Sequence, residues 1–433
     1  MSSDGILTPA AEWDQRLSDG PTDPFEMRWY REAWQASHRT VTSDVATSSN
    51  RWRGGQPISA CCGAAGVGTG LAAIVAAQGG ALHPSELVHI SNQDLIAGYA
   101  ASADPHFQFV TLYQHYDGSY YYAVARDPFL LGKAHTLIDQ PAYRYGHPLH
   151  GWLAGLLSLG QARLVPLALL LLSLIGLAVG GWAASRLAVH FGRTPWAGLV
   201  VAVSPGVLFA ATADTTETVG VALLALTFLA WLHRRYGWTV LLIVALCLDK
   251  EQYVTVPLGL GIWELIEARR RRTTIESPTV KVAAILTGPI VLAGWYGFVH
   301  ARLHAWPWTY ESGNFGKPFA GWRETFRLAH SLSGSTFAGS EIGGMTPVVL
   351  VATAGLLIIA AVVALRLRSI FDATLLGMVA ITSMQGWRTL LYPREVFRTP
   401  AVVLLFALAV LLLRSPPSQS QPATSADAAG IVH

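Results

Sequence analysis

Four stretches of this chain place ionisable side chains where a proton could be moved or an anion held. The first runs His115-Tyr116-Asp117-Gly118, then Arg126-Asp127, then Tyr143-Arg144-Tyr145-Gly146-His147. A carboxylate set among aromatic rings can take a proton from a hydroxyl, assistance worth about 10²–10⁴ in rate. The same residues would equally serve as an interface belt in which Asp117 caps a helix. The second stretch, Asp214-Thr215-Thr216-Glu217, puts Asp and Glu on one helical face. Capping accounts for Asp214 or a threonine, but Glu217 heads an apolar run, where a carboxylate needs a partner or a wet cavity. The third, Asp249-Lys250-Glu251, interrupts an apolar stretch; a binding role there competes with a plain internal Lys–carboxylate pair. The fourth carries Arg388, Arg394 and Arg398 within Trp387–Arg398. Guanidinium groups bind phosphate oxygens bidentately, or else snorkel to the interface. His147 and His150 share a helical face, but with no third ligand nearby they are not expected to hold a metal.

The elements that must position these groups are apolar helices. Of the 433 residues, 52% are hydrophobic and 13% charged, with mean hydropathy +0.38. Soluble domains carry about 25% charge, so a cytosolic enzyme and a disordered scaffold are excluded. A net charge of +3, scattered along the chain, is no nucleic-acid footprint. Cys61, Cys62 and Cys247 lie in apolar runs and make neither a disulfide framework nor a zinc site. Apolar runs recur near 57–80, 164–184, 196–212, 218–232, 237–249, 252–267, 279–300, 347–365, 370–387 and 399–413. They predict an all-α polytopic membrane protein of about 10 transmembrane helices, several of them shorter than a full crossing. Gly66-x-Gly68-x-Gly70 in the first run suits close helix packing rather than a phosphate loop, which needs a preceding strand.

Arginine counts orient the chain. Arg186, Arg193, Arg234, Arg235, Arg269 to Arg272, Arg366, Arg368 and Arg414 fall in alternate loops, which makes those loops cytoplasmic. All the acidic motifs then fall on the outer face, with two long outer loops, 82–163 and 301–346. The 14-residue apolar segment 147–160 is too short to span and is expected to lie on the membrane surface. Residues 1–55 are expected to form a polar cytoplasmic tail with an amphipathic stretch near 25–34, residues 56–414 the membrane domain, and residues 415–433 a disordered cytoplasmic tail. The second long loop carries Trp306, Trp308, Tyr310, Phe315, Phe319, Trp322 and Phe326. These rings could stack on a sugar, line a lipid groove or form an interface belt.

The order of these pieces resembles the GT-C superfamily of membrane glycosyltransferases, and within it bacterial mannosyltransferases that use polyprenyl-phosphate sugars. The resemblance rests on Tyr116-Asp117-Gly118 in a long first outer loop and a Pro-led juxtamembrane segment at His147-Pro148. It continues in a helix ending Arg186-Leu-Ala-x-x-x-Gly192, and in Ser204-Pro205-Gly206 leading to Asp214–Glu217. It covers Tyr116 to about Glu267 best. It implies inverting transfer of a mannose-like sugar from a polyprenyl-phosphate donor to a hydroxyl of a glycan, lipid or protein acceptor, outside the inner (plasma) membrane. Asp117 would be the general base, Asp214 and Glu217 would shape the acceptor or metal side of the cleft, and Arg388 and Arg394 would hold the leaving phosphate. Tyr116, Arg126, Asp127, Arg144, Lys250 and Glu251 complete the candidate binding residues. The family often has two adjacent acidic residues where this chain has Asp117-Gly118. A divalent cation (Mg or Mn) would therefore need Asp127 as its second carboxylate. Membrane lipids are the remaining expected partners, and nucleic acid is not one. A polytopic transporter and a catalytically inactive relative with a structural role are the alternatives.

Overall fold

The computed structural model describes residues 56–111, 114–271, 278–309, 314–332 and 337–413. The expected tails, and Arg272, Tyr310 and Arg414, lie outside these residues. Among the described residues the chain is helical, with isolated bridges but no strand. Four helices have the length and apolarity to cross a membrane: Gln56–Ala77, Ala162–His190, Pro278–Leu303 and Gly343–Ala364. A fifth candidate is the pair Pro195–Ala202 and Pro205–Thr212, bent by 49°. The helices Glu217–Leu232, Tyr236–Asp249, Asp372–Ser383 and Ala401–Leu412 are apolar but shorter. The run expected near 252–267 is the Thr255–Arg271 helix, with arginines at its end. The described residues thus form an all-helical chain with helices fit to cross a membrane.

Local chemistry explains its breaks. Ser204 precedes a proline, is extended (ψ 113°) and cannot continue the helix before it. Lys250 is likewise extended (φ −161°, ψ 140°), so Asp249-Lys250-Glu251 makes a corner between the Tyr236–Asp249 helix and the turn Glu251–Val254. The Gln56–Ala77 helix packs on Val165–His190 through Gly66 and Gly70. A Cβ at Gly66 would stand 2.8 Å from the Leu177 carbonyl oxygen, and one at Gly70 2.4 Å from Leu177 Cδ1. Gly68 faces open space, so two of the three spaced glycines carry this contact.

The long segment after the first helix folds into short helices, among them Gly118–Arg126, Pro141–Arg144 and Leu149–Leu157. The last of these is nine residues long, well short of a crossing. It packs on Gly118–Arg126 where Gly151 meets Val124 and Gly155 meets the Ala125 carbonyl. His89 ties the same segment to the bent pair, with Nδ1 2.7 Å from the Gln114 carbonyl oxygen and Nε2 3.2 Å from that of Thr212.

Candidate functional site

Asp117 precedes the Gly118–Arg126 helix but makes no capping bond with its side chain. Its carboxylate turns instead to two guanidiniums. Arg398 Nη2 lies 2.9 Å from Oδ2 and Arg144 Nη1 lies 3.4 Å from Oδ1. The turn that aims it needs a glycine next door, because a Cβ at Gly118 would stand 2.8 Å from the carbonyl oxygens of Ala213 and Val88. Burial would push the Asp117 carboxyl up, but Arg398 and then Arg144 outweigh it and hold the group below the ordinary carboxylate range. Its side chain keeps 30% of its surface exposed.

Arg398 ends the Pro393–Arg398 helix and is the hub of the site. Beyond Asp117 it reaches Glu395 Oε2 at 3.1 Å and Glu217 Oε1 at 3.6 Å, and its guanidinium lies 4.8 Å from the centre of the Tyr116 ring. Tyr116 donates its hydroxyl to Glu395. Arg144 stacks on Tyr120 at 3.5 Å and reaches Asp139 at 3.6 Å. On the other side Lys250 donates to Glu217 Oε1 at 2.9 Å, and His147 Nε2 lies 3.1 Å from Glu251 Oε2. Burial pushes the His147 imidazole down, with Glu251 opposing in part. The corner at 249–251 thus pairs its lysine with a residue of another helix, while Asp249 accepts the Thr216 hydroxyl.

These groups surround one polar cavity of about 200 Å³. Asp117, Arg144, Lys250, Glu251 and Arg388 line it, together with His147, Glu395 and Arg398. Part of its wall is set by a short bridge in which the Gly386 amide donates to Asn314 (2.7 Å) and the Gly316 amide to Met384 (2.9 Å). The bridge brings Asn314, Phe315 and Gln385 to the cavity. Of the described rings in the second long loop, Phe315 lines the cavity, whereas Trp306 stacks between His300 and Trp308, and Trp322 is buried.

The remaining candidates lie behind or away from this cavity. Tyr116 and Glu217 sit in the second layer, touching it through Glu395, Arg398 and Lys250. Arg394 lies between the rings of Tyr116 and Tyr392. Arg126 stacks on Tyr99 at 4.5 Å and donates to the Tyr122 hydroxyl, on the far end of its helix. Asp127 accepts the Leu131 and Gly132 amides at 2.8 Å each and holds His135 Nδ1 at 2.6 Å, which closes a turn. Asp214 is fully buried in a left-handed conformation (φ 46°). Glu395 stands out among the cavity residues beyond those the sequence pointed to. Its signal was the i, i+3 spacing to Arg398 inside the arginine-bearing stretch.

The Asp117–Asp127 pair does not fit a divalent cation. Asp117 and Asp127 sit at opposite ends of one helix, about 15 Å apart along its axis, and both Asp117 oxygens already face guanidiniums. Among the described residues, no group of three or more His, Cys, Asp or Glu side chains is arranged to hold a metal. A separate apolar groove of about 320 Å³ is lined by Pro205, Gly206, Leu356, Phe397, Ala401 and Leu404. Phe397 belongs to the groove and Arg398, the next residue, to the cavity. Against known protein families, curated proteins and solved structures, the chain matches none.

Proposed function

We propose that this protein is an integral membrane glycosyltransferase. It moves a mannose-like sugar from a polyprenyl-phosphate donor to an acceptor hydroxyl, on the extracytoplasmic face of the inner membrane, with about 10 spans and both termini in the cytoplasm. One observation carries the reading: two consecutive residues of one short helix, Phe397 and Arg398, line an apolar groove and a charged cavity respectively. A lipid phosphate has those two halves, an anionic head and an apolar chain. The head would sit against Arg398, Lys250 and Arg388, and the chain would follow the groove.

In the proposed step the acceptor oxygen attacks the anomeric carbon and its proton passes to the Asp117 carboxylate. The bond from that carbon to the phosphate oxygen breaks, and its electron pair leaves with the phosphate, where the cationic wall stabilises the developing charge. Arg144 and Arg398 keep Asp117 ionised and aimed. The sugar would meet Glu251 and the ring of Phe315, both in the cavity wall.

The bent pair at 195–212 favours the transporter alternative, because transporters use broken helices to make their sites. Here, however, the break at Val203-Ser204 lines the apolar groove and carries no charge.

The test is incubation of the purified protein with radiolabelled polyprenyl-phosphate mannose and cell-envelope membranes. Label moving to an acceptor supports the enzyme. Donor binding without transfer to any fraction points to the inactive relative, and passage of intact donor across vesicles to the transporter.

A further inference from the structure

Glu217 is a carboxylate behind the cavity wall rather than in it. It is 1% exposed, and one of its oxygens, Oε1, faces both Lys250 Nζ (2.9 Å) and Arg398 Nη1 (3.6 Å). Its other oxygen is buried without a hydrogen-bond partner. The two cations line the cavity; Glu217 does not. A neutral side chain here would avoid the desolvation that a buried carboxylate suffers, so the charge itself asks for a reason.

We propose that Glu217 is a positioning residue that acts as a counter-charge to the anion site. It pre-forms the Lys250–Arg398 pair in the empty cavity, and it weakens that pair's hold on an incoming phosphate so that the phosphate product can leave. The inference rests on the lipid-phosphate reading for the identity of the anion, but its electrostatics are those of any phosphate monoester in this cavity. A phosphate that enters competes with Glu217 for the same ammonium and guanidinium. Replacing Glu217 by glutamine keeps the shape and a hydrogen-bond acceptor but removes the competing charge. Phosphate binding therefore tightens, release slows, and kcat and KM fall together. A residue that merely held the fold would loosen binding when changed.

The experiment measures farnesyl phosphate binding calorimetrically to the full-length protein in detergent, with farnesol as the uncharged control. Wild type, Glu217→Gln, Lys250→Met and the double variant are compared. Glu217→Gln is expected to bind farnesyl phosphate roughly tenfold more tightly, as fits removal of one nearby negative charge in a partly desolvated site. Lys250→Met should bind it more weakly, the double variant near wild type, and farnesol equally in all four. Weaker or unchanged phosphate binding in folded Glu217→Gln overturns the proposal, as does a wild type that binds farnesyl phosphate no better than farnesol. If Glu217→Gln does not fold, Glu217→Asp takes its place. It retains the charge but draws it back from Arg398, and must bind farnesyl phosphate more tightly than wild type; equal or weaker binding overturns the proposal. Binding needs no turnover, so tightening in a protein that transfers no sugar would sink the glycosyltransferase and leave the counter-charge standing. Transfer with the opposite binding change would do the reverse.

Discussion

The Arg398 guanidinium stands 2.9 Å from the Asp117 carboxylate and joins the last short helix of the chain to the first acidic motif. Nothing in the local sequence of either residue demands the other. The contact converts an aspartate that would have been a helix cap into an ionised group that faces a cavity.

Removing that charge is the direct test of its role. Asp117→Asn is expected to lower sugar transfer by about 10²–10⁴, the usual worth of a general base, while the protein still elutes as a single folded species. Transfer at the wild-type rate would take Asp117 out of the mechanism.

Arg398 holds three carboxylates, so its loss should be felt in stability as well as activity. Arg398→Met takes the guanidinium away from Asp117, Glu217 and Glu395, the last two largely buried. Breaking a buried pair from one side costs about 3–5 kcal/mol. Thermal unfolding in detergent should show that loss. Arg398→Lys should recover part of it but not transfer, because one ammonium cannot reproduce the fork in which Nη1 faces Glu217 while Nη2 faces Asp117 and Glu395.

Gly206 tests whether the groove and the cavity are mechanically joined. A Cβ there would lie 2.1 Å from the Phe397 carbonyl oxygen and 2.8 Å from Ala401 Cβ. Backbone must move to admit it. Gly206→Ala is expected to destabilise by about 1–3 kcal/mol and to lower transfer, since the displaced carbonyl directly precedes Arg398. Wild-type transfer and melting temperature in this variant would show that the helices part without disturbing the site.

His150 gives a pH signature. It is fully buried beside the Tyr121 ring, 4.9 Å between centroids, and neither ring nitrogen has a hydrogen-bond partner. Burial pushes its pKa down to about 4, with Glu217 opposing. The folded state therefore resists a proton that the unfolded chain accepts near 6.5, so this stability is intact above that value and is lost as pH falls toward the folded pKa. Between pH 7 and pH 5 the loss is on the order of 2 kcal/mol from this residue. Melting temperature measured across that range should fall in wild type, and fall less in His150→Gln; parallel slopes would count against it.

How much of this was legible beforehand can be followed residue by residue. Periodicity and length placed the apolar helices, because burying such runs is decided by composition over many residues and tolerates local error. The charges marked the break at Lys250, because a string of charges acts on its own backbone; the bend at Ser204 fell inside a run read as one helix, 196–212, where the proline restricts the residue before it. Sequence also singled out Asp117, Arg144, Lys250, Glu251 and Arg388, and all five line one cavity.

Partner choice was different. Arg126 and Asp127 have the same residue types as Arg144 and Asp117, yet they face Tyr99, Tyr122 and His135, because they lie at the other end of the helix that begins beside Asp117. Glu217 was legible as a charge in need of a partner, but Lys250 and Arg398 as its partners were not. Such pairings depend on which helix ends meet across the bundle, and short-range electrostatics in a dry site reward a match only once packing has brought it within a few ångströms. Composition and backbone chemistry determined that this chain would be helical, with helices apolar enough to cross a membrane and a charged break at Asp249-Lys250-Glu251; the tertiary packing of the helix ends decided which charges face each other and which face the cavity.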